Sequence, residues 1–109
     1  MSALEDKLLL QLRFAGLVEG MFREYRFDKN RRWRADFAWP KWRIILEVDG
    51  GSWAKGKHTR GTGFEKDCEK QNTAIARGWW YLRVTGKMIN DGAAVGFVRS
   101  LQERLTKES

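Results

Sequence analysis

The spacing of hydrophobic and polar positions changes several times along the chain, and each change marks an element. Between Ser2 and Phe14 the residues Leu4, Leu8 and Leu12, followed by Ala15, recur at helical spacing on one face. Ser2 can cap this helix, Glu5 three residues on completes a capping box, and Gly16 ends it. Phe22 to Phe27 alternates apolar and charged residues, as a half-exposed strand does, and Asp28-Lys29-Asn30 reads as a turn. Arg32 to Trp39 and Trp42 to Asp49 read as a second and third strand joined at Pro40-Lys41. Gly50-Gly51 stops the third strand, and Gly50 to Gly63 reads as a loop rich in glycine and base. A second helix is expected from Thr62 or Gly63 to about Ala76. Phe64, Cys68, Gln71 or Asn72, and Ile75 mark its buried face, with Lys66, Lys70, Thr73 and Arg77 as a second stripe beside it. Trp79 to Thr85 is a fourth strand of aromatic and branched residues. A loop, GKMIND, leads to a last helix from about Asp91 to Leu105, whose apolar stripe is Ala94, Val98 and Leu101.

The order helix, three strands, helix, strand, helix predicts an α/β fold in one domain. Three strands with short turns make an antiparallel meander. A fourth strand that returns after a crossover helix can pair in parallel, which gives a mixed central sheet.

Composition adds a partner to this outline. The chain has 109 residues, enough for one modest core, and a formal net charge of +7. A small basic domain most often meets a polyanion, with nucleic acid first among them. The single cysteine, Cys68, excludes an internal disulfide, and with one histidine, His58, no four-ligand zinc site can form. A metal would be held by oxygen, which favours Mg2+, Mn2+ or Ca2+. No apolar run approaches the roughly 18 residues of a membrane span, and no signal peptide is visible, so a cytoplasmic protein without membrane partners is expected.

The stretch Arg31 to Asp49, RRWRADFAWPKWRIILEVD, sets three carboxylates among apolar and aromatic residues. Carboxylates in such surroundings call for a compensating partner. With alternating side chains, Glu47 and Asp49 share a face of the third strand, and Arg32, Arg34 and Asp36 share a face of the second. A two-residue loop at Pro40-Lys41 sets Asp36 across from Ile45 and Arg34 across from Glu47, leaving Asp36 and Glu47 diagonal neighbours on one face. A three-residue loop would throw Glu47 to the other face, so an even-length connection, or a bulge that restores the parity, is expected. Asp36, Glu47 and the Val48 carbonyl then suit a Mg2+ ion, which keeps several waters. The alternative is ion pairing on a solvated face, with Arg34 and Arg43 as partners.

An acid in the second strand followed by Glu47-Val48-Asp49 at the end of an apolar third strand resembles the PD-(D/E)xK nuclease superfamily. The run Arg32 to Thr85 is similar to small endonuclease domains of the very-short-patch-repair-like and VRR-NUC-like groups, often encoded by phages and mobile elements. The resemblance implies a restriction-endonuclease-like core and a metal-dependent endonuclease acting on DNA, with Asp36 and Glu47 as metal ligands. It also aligns Glu5 with an acid on the first helix that binds or orients metal waters; Glu5 is otherwise the helix cap. Asp49 stands where the superfamily usually has lysine. The missing cation then has to come from Lys70 or Lys66 on the second helix, or Asp49 is a further acidic ligand. His58 follows the metal strand as in the short-patch-repair pattern, where it is general base or phosphate contact; its alternative is a loop histidine without a role.

Lys55, Lys57 and Arg60 in the glycine-rich loop fit phosphate contact or a solvated lid. Arg32 and Arg34, interleaved with Trp33, suit backbone contact and base stacking, and Trp53 is the better placed loop aromatic for stacking. The expected function is therefore endonucleolytic cleavage of duplex or branched DNA, with a homodimer as one way to engage branched substrates. A non-catalytic nucleic-acid-binding module on a degenerate nuclease fold is the alternative.

Overall fold

Ser2 caps α1 (Ala3–Phe14) by accepting a hydrogen bond from the Glu5 N–H, and Leu8 and Leu12 on its inner face are fully buried. The computed structural model describes residues 2–49 and 62–108. Within them α1 is followed by β1 (Phe22–Tyr25), β2 (Ala35–Trp39), β3 (Ile44–Val48), α2 (Thr62–Ala76), β4 (Trp80–Val84), α3 (Gly86–Asn90) and α4 (Ala93–Glu108). The strands form one mixed sheet in the order β1-β2-β3-β4. The first three are antiparallel, and β4 runs parallel to β3, from Ile44↔Trp80 to Val48↔Val84. The α/β class and the meander-plus-crossover order are as the sequence predicts.

One face of the sheet carries the larger core. Phe37, Trp39, Ile44, Leu46 and Val84 pack there with Leu8, Leu12, Ile89, Ala94 and Val98. Burying such side chains is worth about 1.5–3 kcal/mol each, which makes this layer the main source of stability. The Trp39 indole N–H is satisfied by the Leu17 carbonyl at 2.8 Å. The other face holds a smaller cluster of Ala35, Ala38, Ile45, Ala74 and Trp79, with Tyr25, Phe27 and Tyr81 against it. The small side chains at Ala38 and Ala74 leave this face lightly filled, and polar groups enter it.

Four expectations are corrected. The stripe expected to be buried on α2 holds only in its middle: Cys68 and Gln71 are half-buried, but Phe64 and Ile75 are 61% and 51% exposed, while Ala74 is buried and Lys70 and Thr73 are half-buried. Helical periodicity misleads here because the sheet beneath α2 carries carboxylates, so a lysine has more to gain from facing it than a phenylalanine. The β2–β3 connection has four residues, Pro40 to Arg43, with Arg43 in the left-handed region at φ 56°. Both strands are therefore shorter than the apolar run suggests. The segment after β4 is a helix, α3, rather than a loop; Thr85 caps it by accepting from the Met88 N–H, and Ile89 anchors it in the core. The last helix runs from Ala93 to Glu108 rather than from about Asp91 to Leu105. Among the described residues no helix is long and apolar enough to cross a membrane.

Candidate functional site: an acidic cleft beneath the second helix

The four-residue connection decides how the acids meet. Phe37 pairs with Leu46 and Ala38 with Ile45, so one step further Asp36 stands directly opposite Glu47. A two-residue turn would have set Asp36 against Ile45; four residues keep the same even parity and the same shared face, and bring the carboxylates closer. At this step side chains take over from the backbone ladder. The Asp36 N–H donates to Glu47 Oε2 at 2.9 Å, and the Val48 N–H donates to Asp36 Oδ2 at 2.8 Å.

Glu47 is held from two further sides. Lys70 of α2 donates to its Oε1, and also to the Arg34 carbonyl at 2.8 Å. The Tyr81 hydroxyl donates to the same Oε1 at 2.8 Å. A carboxylate offers about four lone-pair positions, and three are taken here. Burial and the Glu47 charge push the Tyr81 phenol far up, so it stays a donor at any working pH. The ion-pair alternative named Arg34 and Arg43, but neither side chain meets the acids. Arg34 is exposed, and the Arg43 guanidinium donates to the Arg77 carbonyl at 2.7 Å and lies over the Trp79 ring.

Asp36 is the least compensated group. Burial, with the Glu47 and Glu5 charges adding to it, pushes its carboxyl up to about 7, against the opposing pull of the Val48 N–H and Lys70. Glu5, Glu24 and Asp36 each place a carboxylate oxygen within 4.8 Å of the other two. Glu5 belongs to the first turn of α1 and also faces inward. Its N–H is capped by Ser2, and its carboxylate, 16% exposed, pairs with Arg23 at 3.3 Å and turns toward Asp36.

Glu24 was not singled out in the sequence. It sits across from Asp36 in the β1–β2 register, between the pairs Arg23↔Phe37 and Tyr25↔Ala35, with φ at 51°. A left-handed glutamate inside a strand is strained by roughly 1 kcal/mol or more. Glu24→Asn relieves both the strain, since asparagine tolerates this region, and the repulsion of Asp36. It is expected to raise stability by about 1 kcal/mol in metal-free buffer, read as a shift in the urea midpoint.

Asp49, at the end of β3, is bound by Arg83 of β4 at 2.9 Å; Arg83 also donates to Gln71 at 3.2 Å and has Asp67 at 3.9 Å. Asp36, Glu47, Val48, Asp49, Asp67, Tyr81 and Arg83 line a cavity of about 130 Å³. Tyr81 and Arg83 were also missed. Alternation along WWYLRVT puts them on one face, but only the parallel register, Ile45↔Tyr81 and Glu47↔Arg83, aims that face at the acids.

Of the other sequence candidates, Arg32 is exposed ahead of β2 and Lys66 is exposed on α2. Trp53, Lys55, Lys57, His58 and Arg60 lie outside the described residues. The chain matches no protein-family model, no curated protein sequence and no solved structure.

Proposed function

We propose that the chain is a divalent-metal-dependent DNA endonuclease centred on Asp36 and Glu47. The observation that carries this reading is the pair itself: two carboxylates face each other across a ladder step, in a cavity, with Asp36 raised to about 7. A carboxylate left so poorly compensated suits a cation as its missing partner. Asp36 and Glu47, with the Val48 carbonyl and the neighbouring acids Glu5 and Glu24, would hold Mg2+ or Mn2+. When bound, such an ion polarises a phosphodiester and lowers the pKa of an attacking water.

The chain's own groups do the rest. The Asp36 N–H, Lys70 and Tyr81 fix the Glu47 carboxylate, and the Val48 N–H fixes Asp36, so both acids are positioned before any ligand arrives. Lys70, on α2 rather than on β3, is the ammonium nearest the acids among the described residues and can steady negative charge developing on phosphorus. The exposed Arg32 and Arg34 and the net charge of +7 supply attraction to the nucleic-acid backbone. The likeness of Ala35-Asp36 and Glu47-Val48-Asp49 to the PD-(D/E)xK pattern agrees with this reading.

One observation favours a second reading. Lys70 neutralises Glu47 without any metal, as it would in a non-catalytic nucleic-acid-binding module. A panel of duplex, branched and single-stranded DNA, incubated with Mg2+, Mn2+ or chelator, separates the two. Cleavage with either ion and none with chelator is expected. No cleavage under any condition, together with unchanged DNA affinity in Asp36→Ala, assigns the chain to the binding module.

A further inference from the structure

We propose that Arg83 binds the phosphate that is cut, and that Asp49 is its positioning partner rather than a metal ligand; this rests on the nuclease reading above. The cavity is the starting point. Its described lining holds four carboxylates, Asp36, Glu47, Asp49 and Asp67, and one cation, Arg83. A phosphodiester is an anion. Four carboxylates outweigh one divalent ion and the Lys70 ammonium on Glu47 by one charge, and Arg83, facing the same space, brings the described walls to neutrality so that the substrate is not repelled.

The register explains why it is an arginine on β4. Where the resembling superfamily carries lysine on β3, this chain carries Asp49, and Arg83 lies next door, in register with Glu47. Acid and base have in effect exchanged strands. A guanidinium has five N–H donors in a planar fork. One amino group donates to Asp49 and the other to Gln71, with Asp67 further off. Those bonds fix the plane of the fork while leaving donors for two phosphate oxygens, the bidentate contact at which arginine exceeds lysine. Arg83 is about one-third exposed, so a ligand reaches it without unfolding. Burial acts to lower its pKa, but the hydrogen bond and charge of Asp49 outweigh this and keep it protonated.

The test is steady-state cleavage of a duplex oligonucleotide with Mn2+, beside Mn2+ binding followed by electron paramagnetic resonance. Arg83→Ala is expected to lose about 100–1000-fold in kcat/KM, the scale of a removed charge-stabilising donor, while its Mn2+ affinity does not fall, since a positive charge has been removed from beside the acids. Added methylguanidine should restore about ten-fold or more of the lost rate. Arg83→Gln, which can still hydrogen-bond Asp49, keeps the experiment decisive if the alanine variant is poorly folded, and should show the same loss. Asp49→Asn is expected to raise KM with unchanged Mn2+ affinity. Wild-type kinetics in Arg83→Gln, or a loss that follows Mn2+ affinity and resists methylguanidine, overturns the role of Arg83. Loss of Mn2+ binding in Asp49→Asn makes Asp49 a ligand and overturns its positioning role. Wild-type protein that neither binds Mn2+ nor cleaves overturns the nuclease reading, and the phosphate role with it.

Discussion

Glu47→Gln is expected to eliminate the proposed Mn2+- or Mg2+-dependent DNA cleavage, with a loss well beyond the roughly 10–100-fold typical when an outer-sphere partner of a metal ligand is removed. The substitution is nearly isosteric and leaves an amide oxygen for Lys70 and Tyr81, which both donate to Oε1 in the wild type. What it removes is the charge and the second acceptor. The amide nitrogen cannot accept from the Asp36 N–H, so the reciprocal bonding that holds the two acids across the ladder is broken as well. Lys70 becomes a half-buried ammonium without a counter-charge, 17% exposed, and competes with any cation for the remaining oxygens. Both effects act against metal binding. The measurement is the nicking rate of supercoiled plasmid at saturating Mn2+, with bound Mn2+ followed separately. Equal cleavage by wild type and Glu47→Gln would refute the assignment of the site.

Asp36→Asn stabilises the metal-free protein, and the gain grows with pH. The Asp36 carboxyl titrates near 7 in the folded chain against 3.8 in its absence, so the folded state holds this proton more tightly than the unfolded state. The associated stability is fully present below about pH 3.8 and is lost as pH rises through about 7. Above that range the folded protein carries an ionised Asp36 beside Glu47 and Glu5. The full shift would correspond to about 4 kcal/mol, but the site is open to water on one side, and screening reduces it to the order of 1–2 kcal/mol. Asparagine removes the ionisation and keeps an acceptor for the Val48 N–H. The Tm difference between variant and wild type should thus be near zero at pH 4 and reach roughly 5–10 °C at pH 8. If the site holds Mn2+ as proposed, saturating Mn2+ should reverse the order, stabilising the wild type by about 2.7 kcal/mol at a hundred times its dissociation constant, and the variant far less. A Tm difference independent of pH would show that Asp36 is already compensated and needs no cation.

The residues differ in how much of their role local rules disclose. Ser2, Glu5 and the Leu8–Leu12 face define α1 because capping and helical periodicity are properties of a few neighbouring residues. The shared face of Asp36 and Glu47 was likewise legible, since any even-length connection at Pro40 preserves it. Lys70 was legible as a candidate because Asp49 stands where the resembling pattern has lysine, and its stripe beside the expected buried face of α2 is the one that meets Glu47. Glu24, Tyr81 and Arg83 were not legible. Each reaches the cleft only through pairing with another strand, Glu24 through the β1–β2 register and the others through parallel pairing of β4 with β3.

The sequence by itself determined the order of elements, the mixed character of the sheet, the basic charge and the acids that belong on one face. These follow from side-chain spacing, turn chemistry and parity, all of which act over a few residues. The tertiary structure decided that Asp36 opposes Glu47 directly, that Glu5 and Glu24 crowd Asp36, that Lys70 turns inward, and that Arg83 takes hold of Asp49. These depend on loop length, strand register and the helix face that meets a charged sheet. Their free energies are settled between segments far apart in the chain, where no local pattern reaches.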